Sequence, residues 1–248
     1  IDVIREENVP IFSFCMGIPS LTILQLLKKQ NIAIMGTATT LEEALLLESS
    51  GSDAIIVQGI EAGGHRSTFL DPYSDPGLSL CTLLPQLRHR LKVPLIAAGG
   101  IMSGDGIAAA LALGASGVQM GTAFIACPES GAPHSYKKAL LHAHPTSTVM
   151  TDKITGKSAR VIENRWTKEM QESKAAVAPF PYQHLLTQQI RRAAAKMDRP
   201  DLMALYAGQN YAMASNLPAS RLIQILVEQT GEAVEDLYQQ FLSEQAPS

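Results

Sequence analysis

The segment from Pro94 to Thr122 carries the pattern on which the fold prediction depends, and it reads PLIAAGGIMSGDGIAAALALGASGVQMGT. An apolar run at Pro94–Ala98 is followed by a helical pattern and then by a second apolar run at Gly117–Met120. Short apolar runs of this kind are typical of strands that are buried on both faces, as in a parallel sheet flanked by helices. The segment therefore predicts a strand–helix–strand unit whose helix begins near Ser103 or Asp105.

The same pattern precedes this segment, with apolar runs at Val9–Phe14, Ile32–Met35 and Ala54–Val57. Thr39 or Thr40 can cap the helix that follows the second run. Three of the four intervals between strand starts are about 21 to 23 residues, which fits one strand, one helix and two turns. Repeated units without antiparallel hairpin signals leave a doubly wound open sheet or a TIM (β/α)₈ barrel, and the regular spacing favours the barrel.

A closed barrel needs about eight strands, whereas the sequence shows only these five runs. Either three strands precede Ile1 in the natural chain or the fold is not a barrel. We expect the first, which requires roughly 70 to 110 further residues before Ile1. Direct pairing of the Val9 strand with the Gly117 strand would contradict this expectation.

The pattern becomes mainly helical after residue 144, so residues 1–144 are predicted to be the barrel portion. Residues 145–248 are predicted to form a helical appendage packed on the barrel, with few and short helices. The predicted helices are Thr187–Met197, Asp201–Met213 and Ala219–Phe241.

Composition excludes several classes of function. The net charge of −3, with scattered Lys and Arg, disfavours nucleic-acid binding. The three cysteines have no metal-like or disulfide spacing, which favours free thiols in a reducing cytosol and no structural metal. No apolar run approaches the roughly 18 residues of a membrane span. A cytoplasmic protein without a membrane partner is therefore expected.

The long connection after the third strand reads GIEAGGHRSTFLDPYSDPG from residue 59 to residue 77 and is the first place to look for chemistry. Gln58 ends the strand, where barrel enzymes place their active sites. Gly63 and Gly64 permit close approach of the backbone to a flat ligand, and the imidazole of His65 can exchange a proton near neutral pH. The alternative is that His65 is an ordinary surface histidine.

Two glycine-rich strand exits are candidate phosphate sites. Backbone N–H groups at Gly99 and Gly100 can bind an anion, although a simple tight turn explains this pair equally well. After the next strand, the backbone of Gly121 and the hydroxyl of Thr122 can also donate to phosphate. Loops after two consecutive final strands match the usual phosphate site of a barrel.

The runs QGIEAGGHRS, LIAAGGI and GASGVQMGTAFIACPES, with YAGQ at residues 206–209, resemble the nitronate monooxygenases, also called the 2-nitropropane dioxygenase family. The resemblance extends from Val9 to about Gln209. It implies an FMN-binding barrel in which His65 is the catalytic histidine. The implied flavin contacts are Gln58, Gly63, Gly99, Gly100, Gln119, Met120, Gly121 and Thr122. Members of the family also carry three βα units before this region, with further flavin contacts.

The implied reaction is the oxidation of an alkyl nitronate by dioxygen to a carbonyl compound and nitrite. The histidine can act as a base on neutral nitroalkanes. A flavin-type enoyl-acyl carrier protein reductase is the nearest alternative because it shares the run EAGGH, although Arg66 and Ser67 favour the monooxygenases. A barrel that binds a phosphate ligand without turnover is the alternative from another class.

Three weaker hypotheses concern side chains outside these runs. Glu61 could pair with Arg66 or orient His65, or be an exposed carboxylate. Tyr206 and Tyr211 could cap the substrate pocket or lie in the core. The sequence from His142 to His144 is interpreted as a solvated helix end rather than as a metal site.

Overall fold

The computed structural model describes residues 1–7, 9–71, 74–142 and 147–244. The predicted boundary between residues 144 and 145 lies outside these residues, as does His144. Contacts within the chain define two compact units. The first comprises Ile1–Ala62, Arg66–Gly99 and Ala110–Gln119, and the second comprises Gly63–His65, Gly100–Ala109 and Met120–Ser248.

The described strands are β1 Ile11–Phe14, β2 Ala33–Ala38, β3 Ala54–Gln58, β4 Gly64–His65, β5 Leu95–Ala98, β6 Gly117–Gln119, β7 Thr148–Thr151 and β8 Ala159–Ile162. The described helices are α1 Asp2–Glu6, α2 Leu21–Lys28, α3 Leu41–Ser49, α4 Leu80–Arg88, α5 Gly104–Ala112, α6 Thr122–Ile125, α7 His134–His142, α8 Arg165–Glu172, α9 Tyr182–Lys196 and α10 Ala219–Glu244. Short 3₁₀ turns occupy Pro200–Leu202 and Tyr211–Met213.

The first unit contains a five-stranded parallel sheet in the order β1-β2-β3-β5-β6. All five predicted strands are present, with ends that differ from the prediction by up to three residues. The α/β class with a parallel sheet is thus confirmed. Because β1 and β6 lie at opposite edges of the sheet, they do not pair with each other to close a five-stranded barrel.

Burial differs between the centre and the edge of this sheet. The side chains of Ile34, Ile55 and Val57 in β2 and β3 are completely buried. In contrast, Ile11 in β1 is 51% exposed, and no residue of β6 is fully buried. The prediction that every strand is buried on both faces is therefore wrong for these two, since an edge strand has only one neighbouring strand to cover it.

Side-chain caps explain where the helices of the first unit begin. The hydroxyls of Ser20, Thr40 and Ser79 accept hydrogen bonds from backbone N–H groups in the first turns of α2, α3 and α4. Thr40, rather than Thr39, is thus the cap of α3. These are the oxygen-bearing residues that satisfy free N–H groups at helix starts. Helix α5 begins in the second unit, where Ser103 Oγ accepts from Gly106 N at 3.3 Å.

The second unit contains a three-stranded antiparallel sheet in the order β4-β8-β7. Gly64 pairs with Arg160 and His65 with Ala159, while Thr148 of β7 pairs with Ile162. The sequence analysis did not predict this antiparallel sheet. Strands of two to four residues carry too little periodicity to be recognised, and their partners are set by tertiary contacts.

The helices of the second unit also differ from the prediction. The predicted helix over Asp201–Met213 is wrong, because most of that segment is extended or turned. Ile162 N donates to Leu205 O at 2.8 Å and Tyr206 forms a bridge with Val161, so the segment lies along β8. Helix α8 was not predicted, and α10, with 26 residues, is longer than expected. None of the helices among the described residues is long and apolar enough to cross a membrane.

Candidate active site

His65 lies in β4, whose two residues are held by backbone pairing with β8. Gly64 before it has a φ of +80°, a left-handed conformation that favours glycine. An ideal Cβ at Gly63 would lie 2.5 Å from the carbonyl carbon of Ala207 and from Gly208 N. Gly63 therefore lets the backbone before His65 pack closely against Ala207 and Gly208.

The imidazole of His65 is half-buried between two aromatic rings. Its ring centroid is 5.3 Å from that of Tyr206 and 6.2 Å from that of Phe180. Nε2 is 2.8 Å from the hydroxyl oxygen of Thr155. The ring is thus oriented by side chains from three separate parts of the second unit, which argues against the alternative of an ordinary surface histidine.

The electrostatic surroundings of His65 keep it neutral at physiological pH. Burial is the largest cause that lowers its pKa to about 4, and repulsion by Lys157, by His184 when it is protonated, and by Arg191 contributes. Burial penalises the charged imidazolium, and nearby cations repel it. At neutral pH the imidazole therefore retains a basic nitrogen that can accept a proton.

In the first unit, Arg66 is an anchor rather than a reactive group. Its side chain is only 2% exposed and pairs with Asp75 through Nε–Oδ2 at 2.6 Å and Nη2–Oδ1 at 3.2 Å. Nη1 donates to Gly59 O at 2.9 Å. Glu61 instead accepts from Leu80 N at 3.1 Å at the start of α4, so the hypothesis of a Glu61–Arg66 pair is wrong.

Gln58, a predicted flavin contact, is fixed at the end of β3. Its Oε1 accepts from Ser67 N at 2.9 Å and from Arg66 Nη1 at 3.2 Å. Because Oε1 accepts two hydrogen bonds, the orientation of the side-chain amide is defined. The bonds from Arg66 and Ser67 connect the loop that follows His65 in the sequence to the strand end.

Glu43 in α3 is a completely buried carboxylate that the sequence analysis did not identify. Its Oε2 accepts from Thr39 N at 2.7 Å and from Thr39 Oγ1 at 2.8 Å. Its Oε1 accepts from Phe69 N at 2.6 Å and from Leu70 N at 3.2 Å. Glu43 stabilises the same loop, and its position beside the buried Ala44 and Leu47 on one helix face was the available signal.

The first predicted phosphate turn has backbone geometry that glycine adopts most readily. Gly99 has a φ of +138° and Gly100 a φ of +67°. At Gly121, an ideal Cβ would meet no described atom within 4 Å beyond its chain neighbours. Open space at this glycine leaves room for a ligand close to its backbone. Gln119, at the end of β6, is exposed and Met120 is half-buried.

The second unit brings Thr122 together with the YAGQ segment. The hydroxyl of Thr122 accepts from Gly208 N at 3.0 Å, and the same segment lies against Gly63. Of the two tyrosines considered, Tyr206 contacts the His65 ring, whereas Tyr211 is fully buried in the hydrophobic core. At the end of α7, His142 is exposed and its Nδ1 lies 2.9 Å from Lys138 O, as expected of a solvated helix end.

Comparison with known proteins identifies close sequence relatives. A protein from Staphylococcus saprophyticus named probable nitronate monooxygenase is 42% identical over 234 residues, covering 94% of this chain and 66% of that protein. A protein of the same name from Staphylococcus aureus is 40% identical over 236 residues, covering 95% and 66%. The chain thus spans 66% of the length of the relatives it matches.

Solved structures give the same relationship. A nitroalkane oxidase from Streptomyces ansochromogenes has a TM-score of 0.90 and 43% identity, covering 95% of this chain and 68% of that chain. FabK from Thermotoga maritima has a TM-score of 0.82 and 30% identity, covering 96% and 73%. The sequence profile of the family described as nitronate monooxygenase matches residues 1–229. Since this match includes most of the chain, the chain belongs to the nitronate monooxygenase family.

Proposed function

We propose that this protein is an FMN-dependent oxidoreductase that oxidises alkyl nitronates with dioxygen to a carbonyl compound and nitrite. Family membership and the relatives' names support the reaction class. The observation that carries the assignment is His65, a neutral imidazole held between Tyr206, Phe180 and Thr155. The proposed substrates are a small nitronate or nitroalkane and dioxygen.

The proposal also assigns the parallel sheet to a particular fold. The strands of the first unit would occupy five positions of a TIM (β/α)₈ barrel, whose active sites lie at the carboxyl ends of the strands. The division into a barrel portion at residues 1–144 and an appendage at residues 145–248 remains part of this proposal. Cys15, Cys81 and Cys127 are free, which supports the reducing cytosol as its location.

FMN is the proposed cofactor, and its proposed contacts are Gln58, Gly63, Gly99, Gly100, Gln119, Met120, Gly121 and Thr122. The left-handed glycines at 99 and 100 and the open space at Gly121 support a phosphate held by backbone N–H groups. Gln58 lies at the end of β3, where Arg66 and Ser67 hold its Oε1. When bound, the flavin supplies the two-electron redox chemistry.

His65 is proposed to act on the substrate rather than to hold the flavin. With a neutral nitroalkane, the imidazole takes the proton from the carbon that bears the nitro group. The C–H bond breaks, an N–H bond forms on the imidazole, and the electron pair is delocalised into the nitro group as a nitronate. A preformed nitronate does not need this step.

The test is His65→Asn in the purified protein, with nitrite release measured for a neutral nitroalkane and for its preformed nitronate. We expect unchanged flavin absorbance and a loss of about 10² or more with the nitroalkane, the usual scale for a general base. The loss with the nitronate should be smaller. His142→Asn is the matched control, because His142 lies exposed at the end of α7. Equal and minor losses with both substrates would contradict the base assignment.

A flavin-type enoyl-acyl carrier protein reductase is the second candidate, supported by the run EAGGH at residues 61–65. The higher identity to the nitroalkane oxidase, 43% against 30% for FabK, favours the first candidate. Oxidation of a reduced nicotinamide coupled to a crotonyl thioester, without nitrite release from a nitronate, would establish the reductase instead. A protein that stays colourless after incubation with FMN would support a barrel without turnover.

A further inference from the structure

Phe180 is an apolar ring that lies beside the proposed base and is still partly open to solvent. It is 45% exposed, although its ring centroid is 6.2 Å from that of His65 in an edge-to-face arrangement. Single exposed apolar side chains are common and need no explanation by themselves. Phe180 differs from them because it lies directly beside the group that is proposed to act on the substrate.

The backbone on both sides of Phe180 is held by hydrogen bonds. Tyr182 N donates to Pro179 O at 2.8 Å, and Ala178 N donates to Gln183 Oε1 at 3.3 Å. Gln183 is itself buried in the first turn of α9. The ring is therefore presented to His65 from an anchored segment of the second unit.

The position of the proposed base fixes where the substrate chain begins. The carbon that loses its proton must come to about 3 Å from an imidazole nitrogen of His65. The alkyl chain is attached to that same carbon, so it starts next to the imidazole, and the ring of Phe180 is within its reach. Tyr206 is nearer to His65, at 5.3 Å, but it is half-buried, so Phe180 offers the more accessible apolar surface.

Other described groups near His65 are less suited to an alkyl chain. Lys157, in the connection between β7 and β8, and Arg191, in α9, act on His65 through their positive charge. Thr155, in the same connection as Lys157, presents a polar hydroxyl. Positive charge attracts the anionic group of a nitronate, whereas an apolar chain is stabilised where it leaves water. The surroundings of His65 thus offer charge for the nitro group and the ring of Phe180 for the chain.

We propose that Phe180 is a specificity-determining residue whose ring binds the unbranched apolar chain of the substrate. The protein therefore prefers the nitronates of 1-nitrobutane and 1-nitropentane to that of nitroethane. This inference rests on the proposed function, because it requires the substrate to be bound at His65. Each methylene group that the ring covers removes apolar surface from water and contributes about two- to fourfold to kcat/KM.

The first test measures nitrite release from the preformed nitronates of nitroethane, 1-nitrobutane and 1-nitropentane, which do not need proton abstraction by His65. In the wild type, kcat/KM should rise about two- to fourfold for each added methylene. Phe180→Ala should lose this rise, and Phe180→Leu should keep most of it because leucine is also apolar. A loss caused by a changed position of His65 affects all chain lengths alike and cancels in their ratios. An unchanged rise in Phe180→Ala would overturn the proposal.

Tyr182→Ala is the matched control for Phe180→Ala. Tyr182 is also an exposed aromatic residue, with 64% exposure, and it follows Phe180 closely in the sequence. Among the ring contacts of the described residues, His65 is joined to Phe180 and Tyr206 but not to Tyr182. Tyr182→Ala should therefore keep the wild-type dependence on chain length. If it removes that dependence as Phe180→Ala does, the preference belongs to a general apolar surface and the proposal is wrong.

The second test measures binding and does not depend on turnover. Straight-chain carboxylates from propionate to hexanoate carry a planar anion with two oxygens, as a nitronate does. Their dissociation constants with the purified protein in the presence of FMN, measured by calorimetry, should fall about two- to fourfold per methylene in the wild type and stay nearly constant in Phe180→Ala. This binding series without nitrite release would keep the Phe180 assignment and remove the proposed reaction. No binding, or wild-type constants that do not depend on chain length, would overturn the proposal.

Discussion

The buried polar side chains of the two units have different roles. In the first unit, Arg66 and Glu43 are buried with complementary partners, so that each oxygen or guanidinium nitrogen supports a backbone group or an opposite charge. In the second unit, burial and the positive charges of Lys157 and Arg191 lower the pKa of His65. The first network stabilises a loop, whereas the second keeps one ring neutral. Buried polar residues thus indicate function only when their partners are examined.

The largest effect is expected at a strand exit, where a side chain should displace the cofactor without disturbing the fold. Gly121→Val adds a side chain where a Cβ meets no described atom within 4 Å, so the protein should fold but lose most of its flavin. Flavin absorbance per protein measures this. Gly131→Val is the control, because its Cβ also enters open space at a position not assigned to FMN. Full flavin content in Gly121→Val would show that the phosphate lies elsewhere.

Glu43→Gln should test whether the first network is structural. The amide keeps one acceptor oxygen but presents an NH₂ group to backbone donors that Glu43 now satisfies. A loss of about 3 kcal/mol in the free energy of unfolding is expected, measured by urea denaturation. Glu42→Gln on the exposed side of α3 should cost less than about 0.5 kcal/mol. A similar small loss in both variants would contradict the role of Glu43.

Gly156→Ala examines the support of Thr155 in the second unit. The residue would be strained at a φ of +84°, and its Cβ would collide with Ala178 O and Phe180 N. Gly51→Ala is matched, because its φ is +94° but nothing lies within 4 Å of the Cβ position. Strain alone costs about 1 kcal/mol and crowding adds about 1 to 2 kcal/mol, so the Gly156 variant should melt at the lower temperature. Equal melting temperatures would show that the close approach is not needed.

The smallest effect concerns pH. His65 must be neutral to accept a proton, so the rate with a neutral nitroalkane should be constant above about pH 5 and fall as the pH approaches its pKa of about 4. Lys157→Gln removes one repelling charge and should move this acid limb to higher pH, although burial, the largest cause, remains. Lys153→Gln, from the same connection, is the control because Lys153 is not among the causes of the shift. An acid limb near pH 6.5 in the wild type would contradict the lowered pKa of His65.

The same lowered pKa predicts a change in stability. The unfolded chain binds a proton at His65 below about pH 6.5, whereas the folded protein does so only near pH 4. The contribution of this residue to the free energy of unfolding is therefore complete above pH 6.5 and is lost as the pH falls through about 4. His65→Asn should remove this part of the pH dependence of urea denaturation.

The parallel sheet could be predicted because its strands and helices repeat an apolar pattern that local physics explains. Central strands such as β3 are covered by helices, and the sequence of such a strand is an uninterrupted apolar run. Glycines such as Gly99 and Gly100 mark strand exits because few other residues adopt left-handed φ. His65 could be identified from its place after such a strand and from the family resemblance of its neighbours.

The features that the sequence did not predict depend on contacts between residues distant in the chain. Residues 204–206 lie along β8 rather than in the predicted helix, because Ile162 and Val161 provide backbone partners distant in sequence. The sequence by itself determined the class of sheet, the strand exits and the candidate histidine, since these follow from local patterns. Only the tertiary structure placed Thr155 against Nε2 of His65, because a hydrogen bond between residues 90 positions apart leaves no periodicity in the chain.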